Sequence, residues 1–247
     1  MKTGVPVLAN LLHKDLLSAY RDRFLVFLSL YPVVITLSTR YVIAVARVPH
    51  LDVYLAPANI LMAQYVVGII VGFNLIEERE MQTWIALRVM PGGTRFSRVY
   101  YTGFTVLASV FTALFSAVVY GVVPRNVPLA VAGTLAASLT GTMVAFALGS
   151  LAQNKIEGLA LTKTAGFGLI SPALLFVAPP AWQVLVAWSP WYWTYISLLW
   201  AYGGNGVSSL PLLKWPGYSP VVSILATLTI NTLGVALFWR KYTSRAS

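Results

Sequence analysis

Residues 57–76 read PANILMAQYVVGIIVGFNLI, and residues 77–80 that follow read EERE. The first stretch carries no charge and matches the roughly 20 helical residues needed to cross a hydrocarbon core of about 30 Å. The second puts three acids and an arginine into a single helical turn. So abrupt a change from lipid-compatible to water-compatible chemistry marks a membrane boundary, and it predicts a transmembrane helix with a charged end. Within the apolar stretch, Gly68 and Gly72 form a small-residue pattern that lets helices approach closely. Asn59, Gln64 and Asn74 are its strongly polar uncharged residues, suited to a pathway or to packing.

The same signature recurs along the chain. Of its 247 residues, 58% are hydrophobic and 10% charged, against roughly 25% charged in a soluble domain. The expected fold is all-α: a single transmembrane domain over 1–247 with six membrane-spanning helices at 24–46, 57–76, 99–123, 128–152, 164–178 and 219–239. Pro32 predicts a kink in the first span, and Arg40 is placed to snorkel to the outer headgroups. Residues 24–39 form an apolar run longer than a usual signal core, so Ala44-Val45-Ala46 is not read as a cleavage site. In the fourth span, Ser138, Thr142, Ala145 and Gly149 put small residues on one face. Residues 153–163 read as a short polar link.

Two segments read as helices that do not cross. Over residues 7–23, Leu8, Leu12, Leu16 and Tyr20 recur every fourth position, which predicts an amphipathic helix on the membrane surface. Residues 181–206 are apolar, broken by Pro190 and dense in aromatics, among them Trp188, Trp191, Tyr195 and Trp200. Aromatic enrichment at headgroup level favours an outer re-entrant element there; a full seventh span is the alternative.

Charge sets the orientation. With the N-terminus inside, the inner side collects Lys2, Lys14, Arg21, Arg23, Arg79, Arg88, Arg95, Arg98, Lys155, Lys163, Arg240, Lys241 and Arg245. Only Arg40, Arg47, Arg125 and Lys214 fall outside. This bias predicts both termini in the cytoplasm of a cell-membrane protein. It also accounts for the net charge of +10 without a nucleic-acid partner.

Catalytic chemistry is poorly supplied. There is no cysteine, and the two histidines, His13 and His50, lie outside the spans on opposite sides, so no metal site is expected. Glu77-Glu78 begins like the motif of CAAX-type membrane proteases, but Gln82 stands where the motif needs arginine. No lysine follows a glycine, which excludes a P-loop. None of the seven acids falls deep in a span, which disfavours carboxylate-based ion coupling.

The segment 77–98 is the informative one. A mixed-charge turn leads into Met81-Gln82-Thr83-Trp84-Ile85-Ala86-Leu87-Arg88-Val89-Met90-Pro91, a short amphipathic stretch ended by a proline–glycine break. A cytoplasmic partner could grip such a knob; a solvated loop of topology-setting arginines has the same composition.

At these residues the sequence resembles the type-2 permeases of ATP-binding-cassette exporters, whose second span ends in Glu-Arg-Glu-x-Gly-Thr-Leu-Glu and continues to a Thr-Pro. Glu78, Arg79, Glu80, Thr83, Leu87 and Pro91 match, whereas Gln82 replaces the glycine, Trp84 the leucine, Ile85 the glutamate and Met90 the threonine. The link from Asn154 to Ala160 is similar to that of small fluoroquinolone-type drug exporters. The resemblance implies a permease subunit that is not itself an enzyme, pairing with a second permease, identical or related. Separate cytoplasmic ATPase subunits would dock on it and use the ATP and magnesium, and this chain would hold no cofactor. It also implies that Glu77, Glu78, Arg79, Glu80, Thr83, Leu87 and Pro91 couple the ATPase to the spans, and that the substrate is a lipophilic or amphipathic drug or lipid. The competing reading is a stand-alone channel or secondary carrier.

Overall fold

The computed structural model of the chain describes residues 23–46, 51–82, 85, 89, 93–121, 124, 126–174, 186–203 and 219–245. Its elements are α1 (Arg23–Ala46), α2 (Leu51–Glu80), α3 (Gly93–Tyr120), α4 (Val127–Leu151), α5 (Lys155–Phe167), a 3-10 extension of α5 (Gly168–Ala173), α6 (Pro190–Gly203) and α7 (Pro220–Arg245). No strand occurs among the described residues. The surface helix expected over 7–23, with Leu12, Leu16 and Tyr20, lies outside the described residues except for Arg23, which opens α1. Of the segment 181–206, residues 181–185 and 204–206 also lie outside them.

Local chemistry explains where the helices begin and end. The span expected over 57–76 is the middle of a longer helix. Asp52 sits in the first turn of α2, where a carboxylate favours the positive end of the helix dipole, and Pro57 is accommodated a turn later. At the far end, Glu and Arg are good helix formers, so the charged turn does not stop the helix. α2 runs through Glu80 and closes at Gln82, whose φ of 58° is left-handed, with Met81 N bonded to Glu77 O at 2.9 Å. That is a C-cap conformation which usually takes glycine. Residues 93–98, expected in the loop, are the first turns of α3.

The polar link expected over 153–163 is helical, and α5 starts at Lys155 rather than in a span beginning at 164. Asn154 Oδ1 accepts from Glu157 N at 2.9 Å, and Glu157 Oε2 accepts from Gln153 N at 2.6 Å. This is a variant of the reciprocal capping box, and it starts a helix despite the polar composition. At α4, Asn126 Oδ1 accepts from Leu129 N at 3.1 Å, with Pro128 in the first turn, a favoured pairing.

α4 is the hub, packing against α2, α3, α6 and α7. Its seam with α2 is made by glycines. A Cβ on Gly141 would lie 2.7 Å from the carbonyl oxygen of Gln64, and one on Gly68 would collide with the carbonyl of Gly141. Backbones this close gain dispersion contacts that larger side chains would prevent. Gly72 lies against Leu148 in the same way, and Gly149 of α4 against Leu75.

Three helices turn large apolar residues outward, around a core that is itself apolar where α2, α4 and α6 meet. α3 buries Gly93, Ser97, Tyr101, Thr105, Ser109, Ala113, Ser116 and Tyr120, nearly every fourth residue. It turns Leu107, Phe111, Leu114 and Val118 outward. α7 buries Ser223, Thr227 and Asn231 and exposes Val221, Leu225, Leu233 and Leu237. α1 exposes Phe27, Leu30, Val34, Leu37 and Tyr41. Small and hydroxylic residues inside, with large apolar ones outside, suit a solvent of lipid chains. Among the described residues, five helices are long and apolar enough to cross a membrane: Leu25–Val45, Leu51–Glu80, Gly93–Tyr120, Val127–Leu151 and Pro220–Ser244.

Candidate functional site: the charged end of the bundle

The charged turn closing α2 is tied to its neighbours. Arg79 donates from one guanidinium nitrogen to the carbonyl of Gly149 at 3.1 Å and from another to that of Ala152. Those carbonyls belong to the last turn and C-cap of α4, where backbone acceptors lack helical partners and the dipole favours a cation. Glu77 Oε2 lies 3.1 Å from Lys155 Nζ. Glu80 Oε1 accepts from the backbone N of Lys155 at 3.2 Å, a carboxylate at the start of α5, where the helix dipole favours it.

One turn of α2 therefore clamps the end of α4, the link Ala152–Asn154 and the start of α5. The charges match the helix termini they meet. Glu78 is buried, at 2% exposure, and lies close enough to Tyr242 of α7 for its charge to act on that phenol, as does Arg79. The Arg98 guanidinium of α3 sits 5.7 Å from the ring centre of Trp239, a cation–π contact. Trp239 in turn meets Phe146 edge-on at 5.1 Å. Parts of α2, α3, α4, α5 and α7 thus converge at this end.

Sequence reasoning singled out Glu77, Glu78, Arg79 and Glu80, and the structure brings all four into this junction. Thr83, Leu87 and Pro91 lie outside the described residues. Just past the clamp, Met81, Ile85 and Val89 are exposed at 68%, 57% and 80%, three apolar side chains following a charged turn.

The polar residues of α2 are strung along the helix rather than gathered. Asn59 and Asn74 are separated by about 22 Å of helical rise. Asn59 Nδ2 donates to the Tyr120 hydroxyl, beside the small cluster of Ile43, Ala56 and Tyr120 at the opposite end. Gln64 is fully buried against Gly141, and neither of its amide atoms has a partner. Gly68 and Gly72 serve the seam with α4.

Two features escaped sequence reasoning. The first is a directed hydrogen-bond chain at mid-height. Asn231 Nδ2 donates to Thr140 Oγ1 at 2.8 Å, Thr140 shares 2.9 Å with Thr194, and Thr194 donates to the Pro190 carbonyl at 2.7 Å. An amide N–H can only donate, so the chain runs one way from α7 through α4 to α6. The second is a cavity of about 540 Å³ between the upper part of α5 and the start of α6. Small polar residues at four-residue spacing signal the first; nothing in the sequence signals the second.

An α-helical bundle with lipid-facing apolar surfaces and an ordered charged end defines a polytopic membrane protein. The chain matches, over residues 15–234, the family described as fluoroquinolones export permease protein Rv2686c-like, and it belongs to that family. Among curated proteins none matches it.

Proposed function

We propose that the chain is the membrane-spanning permease subunit of an ATP-driven exporter. It forms the pathway as a dimer with a second permease, and separate cytoplasmic ATPase subunits drive it. The substrate is a lipophilic or amphipathic compound of the kind the family description names, a fluoroquinolone-type drug. One observation carries the coupling half of this reading. The exposed apolar side chains of Met81, Ile85 and Val89 follow directly on a turn whose Arg79 and Glu80 hold both α4 and α5. A partner gripping these side chains moves α2, and through the clamp it moves two further helices. Differential contacts of that partner in its two nucleotide states would bias the bundle between two access states.

The topology proposed with this reading has six crossings and both termini in the cytoplasm. The sixth crossing is α5 with its 3-10 extension, whose combined rise is about 31 Å. α6 is the re-entrant element. Its first turn meets the middle of α2, with Trp191 edge-on to Tyr65 at 5.6 Å. Its last turn meets the outer part of α4, where Tyr202 and Thr134 share a hydrogen bond of 3.1 Å. A start at mid-height and an end near one face support a helix that does not cross.

The test is uptake of a fluorescent fluoroquinolone into inverted membrane vesicles from cells expressing the chain with its native partners. ATP-dependent, vanadate-sensitive uptake is expected. Uptake that follows an imposed ion gradient and ignores ATP favours the carrier reading instead.

A further inference from the structure

We propose that the cavity between α5 and α6 is a binding site for a flat, fused-ring aromatic molecule that carries an acceptor oxygen and enters sideways from the bilayer. Its volume of about 540 Å³ is that of a small-molecule site. Its lining among the described residues includes Phe167, Ile170, Trp188 and Trp191, with Ser171 and Ser189, and no charged residue.

The back wall is rigid. Trp191 is buried, edge-on to Tyr65 at 5.6 Å, and Tyr65 donates its hydroxyl to the carbonyl of Thr162. Trp191 also lies so close to Gly168 that any side chain there would collide with the indole. Glycine at 168 therefore allows the indole to form a wall of the cavity. The rim is open and apolar: Phe167, Ile170 and Trp188 are exposed at 72%, 56% and 78%. The contact of Trp191 with Tyr65, halfway along α2, sets the cavity at mid-membrane depth, where a lipid-dissolved compound reaches it directly.

The polar groups of the lining include a buried hydroxyl pair, beside the Thr164 hydroxyl and the indole N–H groups of Trp188 and Trp191. Ser171 and Ser189 lie 3.0 Å apart and are 7% and 5% exposed. Their mutual bond uses one of two hydroxyl protons, which leaves the other for an acceptor on the ligand. Aromatic walls and neutral donors favour a planar aromatic ring system with a carbonyl. A lipid acyl chain has neither a ring to stack nor an acceptor to offer.

This inference rests on the export reading for its choice of probe, yet it is tested without nucleotide or ATPase. The purified permease in lipid nanodiscs is titrated with a fluorescent fluoroquinolone and followed by anisotropy. Saturable binding is expected, competed by a neutral fused-ring ketone and not by a long-chain alcohol. Ile170→Trp, which fills the cavity, and Phe167→Ala, which removes a wall, are each expected to weaken binding about tenfold. Both alter exposed side chains, and their melting curves should match the parent's. Leu114→Trp on the outer face of α3 should bind normally.

Unaltered binding in both cavity variants overturns the site and leaves the export reading intact. So does equal competition by the alcohol, or a Phe167→Ala variant that changes only subunit association. Absence of saturable binding by the parent chain, with either the drug or the ketone, also overturns it. The export reading itself is decided separately by ATP-dependent uptake.

Discussion

One guanidinium nitrogen of Arg79 donates across 3.1 Å to the carbonyl of Gly149, and a second reaches the carbonyl of Ala152. A charged residue at the end of one transmembrane helix thus completes the end of another. Hydrogen bonds to charged groups are worth about 1.5–3 kcal/mol each. Arg79→Ala is expected to destabilise the purified permease by about 2 kcal/mol or more, read as a lower unfolding midpoint in detergent. Arg79→Lys, which keeps the charge but loses the planar fork, should recover only part of the loss. A melting curve unchanged by Arg79→Ala contradicts the clamp.

Glu80 differs from Arg79 in kind. It is exposed, and among the described residues its carboxylate accepts from the backbone N of Lys155 at 3.2 Å. Glu80→Ala is expected to leave expression and melting nearly unchanged while abolishing substrate-stimulated ATP hydrolysis in the reconstituted complex. Full stimulated turnover in this variant removes Glu80 from the coupling path.

Gln82 closes α2 at a φ of 58°, and it stands where the resembled exporter motif has glycine. A left-handed residue with a Cβ costs about 1–2 kcal/mol, and glycine avoids that cost. Gln82→Gly should raise stability by about 0.5–1 kcal/mol, visible as a higher unfolding midpoint. Gln82→Val should lower it. A neutral or destabilising glycine would show that this turn is not strained.

The seam between α2 and α4 makes a position-specific prediction. A Cβ on Gly141 would sit 2.7 Å from the Gln64 carbonyl, whereas one on Gly103 would meet nothing within 4 Å. Gly141→Ala is expected to cost about 1–3 kcal/mol through overpacking, and Gly103→Ala should be neutral or mildly stabilising. Similar melting curves for the two would refute the close approach.

The chain from Asn231 to Thr140 to Thr194 predicts coupling between distant residues. Interhelical hydrogen bonds in bilayers average about 0.6 kcal/mol, with a maximum near 1.7. A double-mutant cycle of Asn231→Ala and Thr140→Ala should give a coupling energy of about that size. Strict additivity would mean that the 2.8 Å contact contributes nothing.

The existence of most spans was legible in the sequence because a bilayer imposes a length, and residues 57–76 meet it without a charge. Helix ends were less legible, for two distinct reasons. Residues 77–80 are charged, which marks the membrane edge, but their side chains favour helix, so the helix outruns the boundary. Residues 154–157 carried a readable capping signal, Asn154 and Glu157, which the polar composition of the link obscured. The charged turn stood out from its composition, yet the partner of Arg79 was invisible because it is the backbone end of α4, about seventy residues away. The half-height position of α6 depends on what Trp191 and Tyr202 touch, and pairwise contact between helices leaves no periodicity to read.

The most direct test of the central claim is purification of the chain from its native membrane in mild detergent, followed by identification of every protein retained in stoichiometric amount. An ATP-driven exporter predicts a retained cytoplasmic ATPase with a P-loop, lost when the exposed apolar side chains past the clamp are replaced by Ile85→Asp and Val89→Asp. A pure permease oligomer with no ATPase, reproduced in a second detergent, contradicts it.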